Sequence, residues 1–221
     1  MFLVEYYKSV SAYLPRFLSS AVVVIELTVA IVILSLVIGF FAALGKSLKS
    51  KVLHGPFGFY IWFIRGTPAL IQIFIVYFGF SQLGINFPPF VAGVMALAIN
   101  SGAYIAEIFR SGFMAIPKGQ GESAISLGMT RFLAFKRILF PQLLRIILPP
   151  ITNQSIFILK TTSLLSAITI VELTYTAKVV VSSSYRPFDF FLICAFFYLV
   201  LTTLLTRLAK YLENRLAIAY K

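Results

Sequence analysis

Charged and polar side chains are rare in the apolar stretches of this sequence, so those that occur there are the first candidates for chemistry. Asn100, Tyr104 and Glu107 fall at positions i, i+4 and i+7 of an otherwise apolar segment, with Ser101 beside them. This spacing places their polar groups on one face of a helix. Because ionisable groups inside a bilayer are costly and usually mark pathways or partners, the face could line a path for a polar solute. Arg110 offers the alternative of an i,i+3 ion pair with Glu107.

The other reactive side chains are isolated from one another. Glu26 is the single charge of the first long apolar segment, and both a helix interface and a solute path are open for it. One histidine (His54) and one cysteine (Cys194) are too few for an intrachain disulfide or a His/Cys metal cluster. Gly45-Lys46-Ser47 resembles the end of a phosphate-binding loop, but Phe40 stands where the motif needs its first glycine. We therefore expect no metal, no bound nucleotide and no catalytic constellation in this chain.

The composition indicates which kind of element must position these side chains. The 221 residues are 60% hydrophobic and only 12% charged, about half the charged fraction of a soluble domain. A water-soluble fold of this size cannot bury so much apolar surface, and the same content excludes a disordered chain. The net charge of +12 suits either nucleic acid or the cytoplasmic cation excess of a membrane protein. The apolar content favours a bilayer protein that meets anionic lipid headgroups and binds no nucleic acid.

Five apolar segments are long enough to cross a bilayer as helices of about 20 residues. They comprise residues 17–44, 57–83, 87–109, 139–159 and 188–208. The tetrad Arg65-Gly66-Thr67-Pro68 interrupts the second segment and is interpreted as the point where it enters the bilayer. Residues 163–174 are apolar but too short to cross, which favours a re-entrant or interfacial segment. The predicted fold is an all-α membrane protein with five transmembrane helices, formed by residues 1–221 as a single domain.

The distribution of cations predicts the orientation of these helices. Fourteen of the 19 lysines and arginines lie between the first two segments, in or just after the connection between the third and fourth, or in the C-terminal tail. The opposite side has the other five, and residues 82–87 have none. Since cytoplasmic connections carry the excess of lysine and arginine, the N-terminus is predicted outside and the C-terminus in the cytoplasm.

The polar connection of residues 116–138 has the pattern of a helix, a turn and a second helix. Pro117 suits the first turn of a helix, and Glu122 is favoured near the N-terminal end by the helix dipole. Gly128 can adopt the left-handed conformation that ends one helix before the next begins near Arg131. An amphipathic loop that lies on lipid headgroups is the alternative interpretation.

The same connection resembles the EAA loop of bacterial ABC importer permeases. Residues 121–128 read GESAISLG, and Ile138-Leu139-Phe140-Pro141 follows after nine residues, which matches the spacing of that loop throughout. Ser123 replaces an alanine and Phe140 replaces a leucine. The tetrad 65–68 and the run 160–164 (KTTSL) are further similar to the permeases for polar amino acids. The resemblance covers roughly residues 15–215.

The resemblance implies a core of two permeases, of the same or related chains, in the bacterial cytoplasmic (inner) membrane. Each would dock its coupling helix on one subunit of a cytoplasmic ATPase dimer, which binds the ATP and Mg²⁺, while an extracytoplasmic solute-binding protein delivers a polar amino acid. In this pattern Glu122, Ala124 and Gly128 form the docking element, with Pro117 and Gln120 at its start. The permease itself would hold no cofactor and would not be an enzyme.

Two other classes of function are weighed against this one. The first is an autonomous channel or secondary carrier. Carriers often show inverted repeats, with helix breaks at corresponding positions of the two halves, and this sequence shows none. A membrane-embedded enzyme is the second, and the sequence offers it no catalytic group of residues.

The residues after the fourth segment bear on the choice of solute. Relatives often carry aspartate at the position that matches Thr161, which suits a cationic side chain, and often an acid that matches Glu107. Thr161 and Thr162 offer hydrogen bonds without charge, which argues against direct recognition of a guanidinium or ammonium group at this position. The residues expected along the solute path are Asn100, Ser101, Tyr104, Glu107, Thr161 and Thr162.

Overall fold

The structure, a computed structural model, describes residues 11–48 and 51–218, and all of the regular secondary structure in this part of the chain is helical. The helices are α1 (Leu14–Ser47), α2 (Lys51–Arg65), α3 (Ala69–Gln82), α4 (Pro89–Ala115), α5 (Lys118–Ser126), α6 (Arg131–Ala134), α7 (Phe140–Thr161), α8 (Leu173–Ser184) and α9 (Pro187–Ile218). A π-helical turn lies within α3 (Ile75–Gly79) and another joins α6 to α7 (Phe135–Leu139). A 3-10 turn, Thr162–Ile168, follows α7. The predicted all-α class is confirmed for the described residues.

Three of these helices, α1, α4 and α9, are long and apolar enough to cross a membrane. Two further pairs qualify if each bent pair is one span, which raises the number to five. The first pair, His54–Arg65 with Ala69–Gln82, meets at 110°, and the second, Arg131–Ile168 with Leu173–Ser184, meets at 49°. The architecture is that of a multi-pass membrane protein, and the number five stays a prediction.

The second predicted segment, residues 57–83, is not one continuous helix. Pro68 has no N–H to donate and disfavours helical geometry at the residue before it, so α2 ends at Arg65 and α3 begins at Ala69. Gln72, one turn into α3, hydrogen-bonds Asn100 in the middle of α4. The tetrad 65–68 therefore lies beside the middle of the long helix α4, where it forms a sharp bend. Its interpretation as the point where the segment enters the bilayer stays a prediction.

Most of the apolar stretch 163–174, up to residue 172, forms a break between α7 and α8. The 3-10 turn ends at Ile168, and Thr169 directly after it takes the left-handed conformation with φ of 65°. Glu172 then occupies the position before the first residue of α8. The stretch is too short to cross a bilayer, and it turns the chain from one helix into the next.

Helices α1 and α4 approach each other closely because small residues meet at their contact. A Cβ atom on Gly39 would lie 2.6 Å from Ile105 Cγ2 and 3.0 Å from the carbonyl oxygen of Gly102. A Cβ atom on Gly102 would lie 2.7 Å from Ile38 Cγ2. Membrane helices commonly associate through such small residues, since lipid offers no hydrophobic drive between helices and close backbone contact replaces it. Buried alanines extend the contact, namely Ala42, Ala43, Ala98, Ala103 and Ala106.

The outward face of α9 is apolar from Phe188 to Leu204. More than half of the surface of each of four large side chains is exposed there, those of Phe188, Phe196, Leu199 and Leu204. A soluble monomer rarely exposes so much contiguous apolar surface. Lipid or a second chain must therefore cover this helix.

Candidate functional site

The connection after α4 forms a short helix that is fastened to the end of the bundle. Pro117 precedes the helix with extended backbone angles, so α5 begins at Lys118, one residue later than its sequence suggests. Ala124 is 3% exposed and is the buried residue of α5. Gln142, at the start of α7, donates a hydrogen bond from Nε2 to Gln120 Oε1 at 3.3 Å. Gln120 and Ala124 thus attach α5 to the rest of the chain.

A tight turn at Gly128 ends α5. Gly128 has φ of 80°, and its N–H donates to the carbonyl of Ile125 at 2.9 Å. The N–H of Met129 donates to the carbonyl of Ala124 at 3.1 Å, which completes a Schellman turn. A Cβ atom on Gly128 would meet nothing within 4 Å, so the backbone conformation alone requires glycine. The predicted left-handed conformation of Gly128 is confirmed.

The outer side of this helix and turn is an exposed apolar surface with charged groups around it. Ile125, Leu127 and Phe132 are 52%, 83% and 73% exposed. Glu122 is also exposed, and its carboxylate makes no ion pair or hydrogen bond among the residues that the structure describes. We call this set, together with the exposed Lys118, the α5 surface. Its arrangement suits contact with another protein, because apolar groups at the centre are surrounded by polar ones.

Glu107 is held by two cations. Its Oε1 accepts from Lys46 Nζ at 2.6 Å, and its Oε2 accepts from Arg110 Nη2 at 2.7 Å and Arg110 Nε at 2.9 Å. The i,i+3 pair with Arg110 was open in the sequence, whereas the contact with Lys46 joins residues 61 positions apart. The two partners occupy both oxygens of the carboxylate.

Tyr104 and Glu107 share a cavity of ≈590 Å³ with a cation that the sequence did not place there. The guanidinium carbon of Arg65 lies 5.3 Å from the centre of the Tyr104 ring, which is a cation–π contact. Other lining residues are Lys46, Gly58, Ile61, Trp62 and Gly66. The tetrad 65–68 marked Arg65 in the sequence as part of an interruption. Its contact with Tyr104 could not be predicted, because the bend depends on a contact between residues far apart in the sequence, Gln72 and Asn100.

Asn100 and Ser101 are buried inside the packing of the chain and do not line this cavity. Asn100 Nδ2 donates to Gln72 Oε1 at 3.0 Å. Gln72 Nε2 in turn donates to the carbonyls of Ile64 (2.9 Å) and Thr67 (3.2 Å) at the bend between α2 and α3. In this arrangement Asn100 supports the bend, and its place on a solute path stays a prediction, as does that of Ser101.

Thr161 is the last residue of α7 and Thr162 the first of the 3-10 turn. Neither residue lines the cavity of Tyr104 and Glu107. Their hydroxyls donate to the carbonyls of Phe157 (2.8 Å) and Leu159 (2.7 Å). Thr162 is fully buried. Their predicted contact with solute stays a prediction.

Glu26 lies exposed on α1, and no ion pair of its carboxylate occurs among the described residues.

A buried carboxylate that the sequence did not point to lies at the break before α8. Glu172 is 0% exposed, and its oxygens accept from the N–H groups of Thr174 (2.9 Å) and Tyr175 (2.8 Å). The hydroxyl of Tyr198 on α9 donates to the same carboxylate at 2.7 Å. The only signal in the sequence was an acid within an apolar stretch. The described residues contain no group of three His, Cys, Asp or Glu side chains that could hold a metal ion.

Comparison with known proteins gives the arrangement a context. A sequence model of the family described as "Binding-protein-dependent transport system inner membrane component" matches residues 35–218. The chain is 34% identical over 216 residues to the permease protein HisQ of the histidine/lysine/arginine/ornithine transport system of Escherichia coli, covering 92% of this chain and 94% of that one. It is 40% identical over 209 residues to the octopine permease protein OccM of Rhizobium radiobacter, covering 89% and 84%.

A solved structure has the same fold. It is described as "Crystal structure of an amino acid ABC transporter with histidines" and superposes with a TM-score of 0.87 at 40% sequence identity. The match covers 94% of this chain and 97% of that one.

Proposed function

Because this chain belongs to the family of inner membrane components of binding-protein-dependent transport systems, we propose that it carries a polar amino acid across the bilayer as the permease subunit of an ATP-driven importer. The family works with a separate ATPase subunit and a separate solute-binding protein, so the chain is not itself an enzyme. The nucleotide and its Mg²⁺ belong to that ATPase. The relatives whose names mention histidine, lysine, arginine, ornithine and octopine support a polar amino acid as solute.

The observation that carries the mechanism is the α5 surface. It is displayed outward by a turn that needs glycine at position 128, and it is fastened from behind through Ala124 and Gln120. A helix held in this way can transmit a push or pull to α7, because Gln142 lies in the first turn of that helix. The ATPase subunit is therefore the partner proposed for the α5 surface, with Glu122 and the apolar groups beside it in the contact. Closure of the ATPase dimer would move this helix and, through it, the bundle.

The proposed orientation places the N-terminus outside and the C-terminus in the cytoplasm of a bacterial inner membrane. The contact between Lys46 and Glu107 supports it, since it brings the connection after α1 and the connection after α4 to one end of the bundle. Both connections are rich in cations, as cytoplasmic ones are. Arg65 stacks on Tyr104, near the middle of α4, and is therefore left out of that count, which becomes thirteen cations against five.

A second permease, of the same or a related chain, completes the proposed core. Two features of the described surface support it: the apolar face of α9 and the exposed Glu26 of α1. A carboxylate on a membrane helix is costly in lipid, so protein or water must lie beside Glu26. The solute path is proposed to pass the cavity of Tyr104 and Glu107.

Two glycines with the same backbone conformation provide a matched test of coupling. Gly128 and Gly84 have φ of 80° and 83°, and a Cβ atom on either would meet nothing within 4 Å. Gly84 precedes α4 and Gly128 follows it, so the two lie at opposite ends of the bundle. A β-branched residue at either position costs about 1–2 kcal/mol of backbone strain. Only the variant Gly128→Val should misplace the α5 surface.

The measurement is recovery of the ATPase subunit with the permease after extraction in mild detergent, at matched membrane levels. We expect Gly128→Val to lower recovery by roughly tenfold and to lower amino acid uptake with it, the factor that about 1.4 kcal/mol gives. Gly84→Val should recover the ATPase as the wild type does. Equal recovery and normal uptake for Gly128→Val would show that α5 does not couple the two subunits.

A further inference from the structure

The cavity of Tyr104 and Glu107 carries more positive than negative charge. Lys46, Arg65 and Glu107 line it, and Arg110 contacts Glu107 from the same helix. Both oxygens of the carboxylate are already occupied, one by Lys46 and the other by Arg110. Glu107 is therefore neutralised by its own neighbours and offers little attraction to a cationic side chain. What is left over in the cavity is positive charge.

Arg65 is the cation that has no acid beside it. Its guanidinium lies over the ring of Tyr104, and no carboxylate among the described residues comes within salt-bridge distance of it. Tyr104 lies two residues from the midpoint of α4, which is about 3 Å along a helix of about 40 Å. An arginine at that depth is costly and is expected to face a partner or a water-filled space. Arg65 faces the ≈590 Å³ cavity, whose lining also includes the charged Lys46 and Glu107.

We propose that Arg65 binds the α-carboxylate of the amino acid as it passes through this cavity. The proposal rests on the function proposed above and names the group of the solute that this permease recognises. A guanidinium matches a carboxylate with two parallel hydrogen bonds, a geometry that an ammonium cannot offer. The guanidinium lies over the Tyr104 ring, a contact that uses no N–H group in a hydrogen bond and leaves these donors for the ligand. The volume lies within the range of small-molecule sites.

Recognition of the carboxylate would allow one cavity to serve solutes with different side chains. Every α-amino acid carries this group, whereas the side chain varies. With Glu107 already paired, the cavity has no free acid to prefer a cationic side chain, and the solute-binding protein would make that choice. The permease would select the class of solute and reject amines that lack the carboxylate.

The test uses the purified permease–ATPase complex in lipid nanodiscs without solute-binding protein. Binding of radiolabelled arginine, histidine and glutamine is measured by equilibrium dialysis in competition with agmatine, histamine and 4-aminobutanamide, which lack only the carboxylate. We expect the affinity of each amino acid that binds to exceed that of its decarboxylated analogue by about tenfold or more, because the analogue lacks the carboxylate that pairs with Arg65. In Arg65→Gln this ratio should fall to about one, and Arg65→Lys, which keeps the charge but loses the two parallel hydrogen bonds, should keep only part of it.

A matched control lies elsewhere on the chain. Arg215 stacks on Tyr211 at 5.2 Å, much as Arg65 stacks on Tyr104, but it does not line the cavity. Arg215→Gln should leave the ratio unchanged. Elution volume and ATPase recovery report whether each variant is folded, and the ratio between two ligands is independent of the amount of active protein.

ATP-driven uptake by the wild type with its solute-binding protein separates failure of the two proposals. Absence of uptake for every amino acid would overturn the proposed function and this inference with it. Uptake with no preference of the complex for amino acids over their analogues would overturn the inference alone. So would an unchanged ratio in a folded Arg65→Gln, or equal competition by chloride and inorganic phosphate, which would indicate a general anion site.

Discussion

Two helix ends lie inside the bundle, and they differ in polarity. The C-terminal end of α2 leaves backbone carbonyl groups without helical partners, whereas the N-terminal end of α8 leaves backbone N–H groups. At the first break Gln72 donates hydrogen bonds to the carbonyls of Ile64 and Thr67. At the second break Glu172 accepts hydrogen bonds from the N–H groups of Thr174 and Tyr175. One end is served by an amide and the other by a carboxylate.

The difference follows from which backbone groups each helix end leaves free. A helix C-terminus leaves carbonyl groups without partners, and a helix N-terminus leaves N–H groups. Inside a bilayer no bulk water can satisfy either, so a side chain of the chain itself has to do so. A carbonyl end needs a donor, and an N–H end needs an acceptor, for which a carboxylate is further favoured by the helix dipole. The polarity of each break therefore dictates the chemistry of the residue that closes it.

The sharpest way to break this comparison is to exchange the two chemistries, and the largest effect is expected for Gln72→Glu. The new carboxylate would place acceptor atoms against the carbonyls of Ile64 and Thr67 with no donor between them. We expect the free energy of unfolding to fall by about 3–5 kcal/mol, the cost of an uncompensated buried charge. Circular dichroism during unfolding by SDS in mixed micelles measures it. The exposed Gln82→Glu is the control and should stay within about 0.5 kcal/mol. A stability loss at Gln72 no larger than that at Gln82 would contradict the donor requirement.

The second break should depend on the acceptor rather than on the charge itself. Glu172→Ala removes the acceptor for two N–H groups and for the Tyr198 hydroxyl, so we expect a loss of about 2–4 kcal/mol in the same unfolding assay. Glu172→Gln keeps one acceptor oxygen and should lose only about 1 kcal/mol. Glu172→Gln should thus be mild and Gln72→Glu severe. This asymmetry is expected if the first break needs a hydrogen-bond donor and the second needs an acceptor. Equal losses for Ala and Gln at this position would mean that the negative charge is what matters.

The smallest effect is expected for the hydroxyl that assists Gln72. Thr67 Oγ1 accepts from Gln72 Nε2 at 2.7 Å and donates to the Phe63 carbonyl at 3.0 Å. Thr67→Val keeps the shape of the side chain and should lower the free energy of unfolding by about 1 kcal/mol. Thr203, whose hydroxyl donates only to a carbonyl of its own helix, provides the control variant Thr203→Val, for which little change is expected. A loss at Thr203 as large as that at Thr67 would indicate a general cost of removing a hydroxyl.

The features that the sequence predicted are those encoded locally. The glycine at position 128 follows a short polar helix and precedes another, and its positive φ could be read from that context. The Glu107–Arg110 pair follows from helical spacing alone. Pro68 and its neighbours indicated an interruption, but its depth depends on Gln72 reaching Asn100, 28 residues away. The roles of Gln72, Glu172 and Arg65 were missed for the same reason, because each rests on a partner that only the folded chain brings near.

The close contact of α1 with α4 makes these two helices one rigid unit. Sliding one along the other would drive Ile105 and Ile38 into the backbone at Gly39 and Gly102, and such packed contacts do not deform continuously. We therefore expect the pair to travel as one piece during transport, with the link between Lys46 and Glu107 carried along intact. Closure of the ATPase dimer would then displace α4, and with it Tyr104, as a rigid unit together with α1. The change of shape would be confined to the bends between α2 and α3 and between α7 and α8.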